Sequence, residues 1–235
     1  MSDLKLAVMQ PYFFPYLGYF QLIVESDLFV IYDDVNFITR GWINRNRILI
    51  NGSAAYITIP CKNSSQNRPI HEIKHALGDK IREKLIRKVE LAYKNAPNFR
   101  DVYPVVRDVI YTDKESISEL ATESIVKTLE YLSIEKAIKK SSSIYDNQQM
   151  KGSDRIMDIC EQENATSYIN AVGGKTLYDK EVFLNKGVDL KFLITSNLIY
   201  EQFGEKFVPG LSIIDVMMFN SISSIHEMLK MYYLE

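Results

Sequence analysis

Two prolines four positions apart, Pro11 and Pro15, bracket an aromatic run near the start of the chain and decide what can form there. Each lacks a backbone N–H and restrains the residue before it, so neither a strand nor a helix passes through Gln10-Pro11-Tyr12-Phe13-Phe14-Pro15-Tyr16. Residues 6–9 before the prolines read as a short buried strand, and residues 18–23 after them as the first turns of a helix. Residues 28–32, β-branched and aromatic, read as a second buried strand. Strand, loop, helix and strand within about 30 residues predict a βαβ unit whose functional loop leaves the C-terminal end of the first strand.

Further along, residues 47–50 and 56–60 flank Asn51-Gly52, a pair that tolerates positive φ and signals a β-hairpin. Residues 71–75 read as a short strand. From Asp79 the apolar period changes. Ile81, Leu85, Val89 and Tyr93 form one helical stripe, and Ile117, Leu120, Ala121, Ile125, Leu129 and Leu132 form another. Asn95-Ala96-Pro97-Asn98 separates them, within a helical segment over residues 79–135. Ser153 reads as the N-cap of a helix running to Glu163 and ended by Asn164. Residues 167–170 form a strand leading into Gly173-Gly174, residues 190–194 another strand, and residues 213–232 a terminal helix. The sum is a single α/β domain over residues 1–235, a mostly parallel sheet with a β-hairpin and a helical insert.

Composition removes several classes of function. A net charge of −2 argues against a broad basic surface for nucleic acid. Cys61 and Cys160 lie far apart and without CxxC spacing, so neither zinc nor a disulfide is implied. His71 and His75 stand four apart without an HExxH pattern, and no metal site is expected. No signal pattern opens the chain, and no apolar run approaches the ~18–20 residues that span a bilayer. A cytoplasmic protein without a membrane span is expected.

Four stretches carry chemistry. Asp33 and Asp34 close the second strand, where a carboxylate serves as a general base, orients a sugar hydroxyl or binds a cation. Neighbours on a strand face opposite ways, so one of the two is expected in a shared site. In Asn44-Arg45-Asn46-Arg47 the same alternation puts Asn44 and Asn46 on one face and Arg45 and Arg47 on the other. Guanidinium groups suit bidentate phosphate recognition, and amides read hydroxyls or carbonyls. Gln10, Tyr12 and Tyr16 follow the first strand, on the usual ligand side of an open parallel sheet. In the fourth stretch, running from Tyr168 to Tyr178, Asn170, Gly173, Gly174 and Tyr178 follow a later strand; the glycines permit close backbone approach to a ligand. The GxxxxGK[ST] spacing is absent, no GxSxG is present, and neither cysteine has a nucleophile signature.

These stretches resemble the WbqC-like protein family. The likeness rests on residues 10–20, Asp33-Asp34-Val35, Trp42-Ile43-Asn44-Arg45-Asn46-Arg47, Ala96-Pro97, Tyr168-Ile169-Asn170-Ala171-Val172-Gly173-Gly174 and Leu211-Ser212-Ile213-Ile214-Asp215. The strand–loop–helix start also resembles the nucleotide-binding HUP superfamily, which implies a Rossmann-like sheet with a nucleotide beside the first loop. The family resemblance implies a bacterial protein of O-antigen (lipopolysaccharide) and related surface-polysaccharide gene clusters. Its setting implies N-acylation of a nucleotide-linked amino sugar.

The expected mechanism is direct transfer. A sugar amine attacks a thioester carried by CoA or an acyl carrier protein, with no other cofactor bound. Pyrophosphate docks near Arg45 or Arg47, Asp33 or Asp34 takes the amine proton, and Asn44, Asn46 or backbone N–H groups hold the oxyanion. Nucleotidyl transfer and glycosyl transfer are the competing enzyme readings; HxGH, GxxxxGK and DxD sequences are absent. A non-catalytic sugar-nucleotide or carrier-binding protein is the remaining one. The basic face of the first predicted helix (Lys80, Arg82, Lys84, Arg87, Lys88) reads as solvated, with docking of an acidic carrier protein as the alternative. A homodimer stays open.

Overall fold

A computed structural model describes residues 3–235. The chain begins with β1 (Lys5–Met9), α1 (Leu17–Glu25) and β2 (Leu28–Ile31), and β1 and β2 pair in parallel with Ala7 opposite Phe29. A hairpin follows, β3 (Arg45–Ile50) and β4 (Ser53–Thr58), turned by Asn51 at φ 50° and Gly52 at φ 70°. Both central residues have positive φ, the geometry that matches the right-handed twist of the flanking strands. Three helices come next: α2 (Asp79–Tyr93), α3 (Phe99–Ile110) and α4 (Ile117–Tyr131). Ser116 starts α4 with a reciprocal capping box to Glu119. The chain closes with β5 (Ala137–Lys139), α5 (Gly152–Gln162), β6 (Ser167–Ala171), α6 (Lys180–Leu184), β7 (Asp189–Thr195), α7 (Ile213–Phe219), α8 (Ile222–Met228) and β8 (Tyr232–Leu234).

The main sheet has the order β5-β2-β1-β6-β7-β8, parallel throughout except for β8, which runs antiparallel to β7. This is a Rossmann-like α/β fold. Its central strands are buried on both faces, so alternate residues of β1 serve two different cores. Ala7 packs with Phe29, Ile169, Leu193 and helices α1–α4 and α7; Leu6 and Val8 pack with Tyr168, Phe192, Phe183 and the apolar stripe of α5. The first of these cores also contains Ile48 and Ile57 of the hairpin. The helical segment is therefore part of the body that supports the sheet, occupying the long connection from β2 to β5. Among the described residues no helix is long and apolar enough to cross a membrane.

Three local expectations are corrected. Residues 71–75 are not a strand: Pro69 leads into a 3-10 turn at Ile70–Glu72, where the His71 N–H donates to the Asp33 carbonyl. Only Lys74 and His75 make isolated bridges, to Ser116 and Cys61. Ser153 does not cap α5, because the helix starts one residue earlier, at Gly152 with φ 57°, and Lys151 takes the cap position. Residues 213–232 do not form one helix. Asn220 turns extended after α7, Ser221 caps α8 through the Ser224 N–H, and the chain then adds β8 to the sheet.

One buried joint ties the layers together. The Tyr93 hydroxyl at the end of α2 accepts from the Leu49 N–H of the hairpin (2.9 Å) and donates to Asp215 Oδ1 in α7 (2.8 Å). Asp215 Oδ2 accepts from the Tyr200 hydroxyl and Gln202 Nε2, both at 2.7 Å. Burial raises the Asp215 carboxyl above its ordinary value, and the three donors pull the other way. Tyr93→Phe leaves the Leu49 N–H unpaired and removes one donor from Asp215. We expect a loss of about 1–3 kcal/mol, read as a lower urea midpoint with an unchanged slope.

Candidate functional site

The strand order reverses at β1: β2 and β5 lie to one side and β6, β7 and β8 to the other. The chain segments leaving the C-terminal ends of β1 and β6 diverge there, which opens the crevice where α/β sheets bind ligands. A cavity of 470 Å³ occupies it. Its floor is the end of β1 (Val8, Met9, Gln10). One wall is Tyr12 and Tyr16 with Tyr32, Ile38 and Trp42, and the other is Asn170, Ala171, Gly173, Gly174, Leu177 and Tyr178. A larger, open groove of 920 Å³ runs along α5 past Asp154, Met157 and Glu161, away from the switch point.

The aromatic wall is held from behind. The Tyr19 hydroxyl donates to the Gln10 carbonyl (2.9 Å), and the Tyr12 ring lies 5.6 Å from that of Tyr19. Arg155 covers the Tyr32 ring at 4.9 Å, and Tyr178 meets Tyr168 edge-on at 5.9 Å. Asn170 Oδ1 accepts from the Ala171 N–H (2.8 Å), which lays its amide over Gly174. A Cβ on Gly174 would stand 2.5 Å from Asn170 Nδ2, so the glycine makes room for this amide. No such crowding exists at Gly173. Burial raises the phenols of Tyr12, Tyr16, Tyr32 and Tyr178. They stay protonated near neutral pH and can act as hydrogen-bond donors.

Of the residues singled out in the sequence, Gln10, Tyr12, Tyr16, Asn170, Gly173, Gly174 and Tyr178 come together in this cavity. Asp33, Asp34, Asn44, Arg45, Asn46 and Arg47 do not line it. The strand alternation expected at the carboxylates is absent, because β2 ends at Ile31. Both acids turn instead inward, toward the serine-rich segment after β5, the start of α4 and α5. Asp33 accepts from the Ser118 and Ser141 hydroxyls, each at 2.7 Å, and from the Ser142 N–H at 3.2 Å. Asp34 accepts from the Ser142 hydroxyl and pairs with Arg155 Nη2 at 2.5 Å; the two side chains are 1% and 3% exposed.

The hairpin residues are equally engaged. Asn46 Nδ2 donates to the Phe13 and Phe14 carbonyls (3.1 and 2.7 Å), and Asn44 Nδ2 to the Ile59 carbonyl (2.8 Å). Arg45 lies over the Tyr56 ring at 4.4 Å and donates to the Gly41 carbonyl. Arg47 lies over the Trp42 ring at 5.6 Å and donates to the Gly210 carbonyl (2.7 Å). Both guanidiniums cover aromatic faces and donate to backbone carbonyls, and neither lines the cavity. Tyr32, Ile38, Trp42 and Leu177 are lining residues that sequence reasoning passed over. Trp42 carried a signal, as the single Trp of the chain inside the Asn-Arg motif.

Asp34→Ala would strand the buried Arg155 charge and should cost about 3–5 kcal/mol in urea unfolding. Replacing both members, Asp34→Ala with Arg155→Met, should cost less than the single change. A double variant as unstable as Asp34→Ala would show that the pair is not what the segment relies on.

An uncharacterized protein of Mycobacterium tuberculosis, Rv1507c, is 28% identical over 226 residues, covering 91% of this chain and 92% of its own length. No solved structure matches at a significant level. The WbqC-like protein family matches residues 10–227, a span that includes both walls of the cavity and the hairpin behind it. The chain belongs to the WbqC-like protein family.

Proposed function

We propose that this protein is a transferase of bacterial surface-polysaccharide biosynthesis. It acylates the amine of a nucleotide-linked amino sugar from a thioester donor, CoA or a carrier protein, and the nucleoside sits in the switch-point cavity. The observation that carries this reading is the cavity itself: four phenols, one indole and two side-chain amides around 470 Å³. That volume lies toward the lower end of small-molecule pockets, about 300–1,000 Å³, and suits a nucleoside rather than a whole sugar nucleotide. Tyrosine and tryptophan faces suit a base or a sugar ring, and Asn170 and Gln10 suit the polar edge of a pyrimidine. The pyrophosphate and the amino sugar then lie toward the mouth. The surface-polysaccharide setting is part of this proposal and is taken from what the resemblance to the family implies.

The chemistry follows from what the walls hold. In the transfer, the neutral amine attacks the thioester carbonyl, the nitrogen gives up one proton to solvent as the C–N bond forms, the C–S bond breaks, and the departing thiolate takes one proton from solvent. The two thiols of the chain do not serve as covalent relays: burial pushes Cys61 up to about 11 and Cys160 up to about 12, and neither lines the cavity. The lining side chains include no carboxylate or imidazole, and its phenols remain protonated. Asp33 and Asp34, fixed by serines and Arg155, position the segments around the site and do not take up the amine proton. The sugar amine must therefore arrive already neutral, its proton having gone to water.

Two outcomes are expected. Calorimetric titration with dTDP- and UDP-4-amino-4,6-dideoxyglucose should show tighter binding than free dTDP, UDP or ATP. Asn170→Ala should weaken it about tenfold, the loss of one hydrogen bond worth about 1–1.5 kcal/mol. Binding of ATP alone would overturn the reading in favour of nucleotidyl transfer. With turnover in hand, the rate should climb with pH up to the pKa of the sugar amine and show no falling limb below about pH 9. A bell-shaped profile centred near neutrality would reveal a protein base that the cavity does not contain.

A further inference from the structure

A second chamber of 210 Å³ lies on the other side of Tyr16, between the start of α1 and the irregular segment 196–211. Tyr16 is the one residue common to the two linings, and it is 39% exposed. The walls of the small chamber are apolar: Leu17, Leu198, Phe207, Leu211 and Val216. Thr195, Ser196, Asn197 and Tyr200 add polar atoms along one side. Gly18 lets Tyr16 and Thr195 pack closely at the edge of the chamber, since a Cβ there would stand 2.5 Å from Tyr16 Cε2 and 2.6 Å from Thr195 Oγ1.

The segment that roofs the chamber is long and without helix or strand, yet it is fixed. Gln202 bonds both ways with Val208, its Nε2 to the carbonyl (3.2 Å) and its Oε1 from the N–H (2.8 Å). Gln202 Nε2 and the Tyr200 hydroxyl also reach Asp215 in α7. Irregular loops of this length in a folded domain usually build binding surface. A fixed apolar chamber beside a polar aromatic cavity fits two ligands of different character that must meet at one ring.

We propose that the 210 Å³ chamber is the acyl subsite: it takes the short, uncharged acyl end of the thioester donor and presents it to the amino sugar across Tyr16. The inference deepens the acyl-transfer reading and rests on it for the identity of the second ligand. The chamber has less than half the volume of the neighbouring cavity, 210 Å³ against 470 Å³, which fits a short acyl chain and not a long one.

The test uses S-acyl-N-acetylcysteamine thioesters from acetyl to decanoyl, titrated into the full-length protein. Wild type should bind butyryl to hexanoyl thioesters at least tenfold more tightly than acetyl or decanoyl. Phe207→Ala enlarges the chamber and should move the optimum to longer chains. Leu198→Trp fills it and should remove the preference, while affinity for the amino-sugar nucleotide stays within twofold in both variants. If Leu198→Trp fails to fold by circular dichroism, the chain-length shift in Phe207→Ala decides. A flat chain-length profile in wild type, or an optimum that neither variant moves, overturns the acyl subsite. Thioester preference that persists in a protein that binds no sugar nucleotide would leave the chamber standing and refute the reading of the larger cavity.

Discussion

Phe14 sits at φ 40°, a left-handed conformation that a bulky side chain adopts only under constraint, at a cost of about 1–3 kcal/mol. Everything around the loop after β1 holds it there. Its N–H donates to Ser124 Oγ in α4 (2.8 Å), and its carbonyl accepts from Asn46 Nδ2 in the hairpin and from Ser212 Oγ at the start of α7, both at 2.7 Å. The neighbouring Phe13 N–H donates to the Trp42 carbonyl (3.0 Å), and the Ile213 N–H to the Pro15 carbonyl (2.9 Å). Three distant parts of the chain thus grip one kinked residue. The kink turns Phe13 and Phe14 inward as fully buried rings and leaves Tyr12 and Tyr16, on either side, to face the cavities. Helix α4 and the hairpin are therefore needed for the geometry of the site even though neither reaches it with an amide or a charge.

The buried ionic groups have a complementary placement. Asp33, Asp34, Arg155 and Asp215 are all inside the protein, and each is surrounded by its own hydroxyl, amide or guanidinium partners. None of the four lines the switch-point cavity or the chamber beside it. Desolvating a charge is costly unless its partners are built in, so these groups are bound into joints between elements. The cavity is left neutral and ringed with aromatic faces.

Much of this was legible in the sequence. The β1–loop–α1–β2 unit, the Asn51-Gly52 hairpin and the two helical stripes all carry local signals, Pro and Gly punctuation or apolar periodicity, that tertiary contacts did not overrule. The strand-to-Gly-Gly stretch at residues 167–174 was also visible, and with it half of the cavity wall. The roles of polar residues were not. Asp33-Asp34 and Asn44-Arg45-Asn46-Arg47 look like ligand contacts because such groups are expensive to bury, and the partners that satisfy them are far away. Ser118, Ser141, Ser142 and Arg155 have no motif, and nothing local in the chain pairs them with residue 33 or 34. The terminal helix failed for a similar reason: the break at Asn220-Ser221 is weak locally, and β8 is defined only by the β7 edge that it meets.

The pairing of β6 with β1 joins Ser167 to Lys5 and Tyr168 to Leu6 across most of the chain's length. The aromatic wall belongs to the first fifth of the sequence, and the Asn170–Tyr178 wall arrives only with this pairing. A nascent chain therefore carries the residues of the aromatic wall long before it has a pocket, and the pocket appears only with the longest-range strand pairing of the sheet. Any molecule that bridges the two walls strengthens that pairing alone, so occupancy would register as resistance to separation of the sheet's two halves and would leave fraying of the helical segment unchanged.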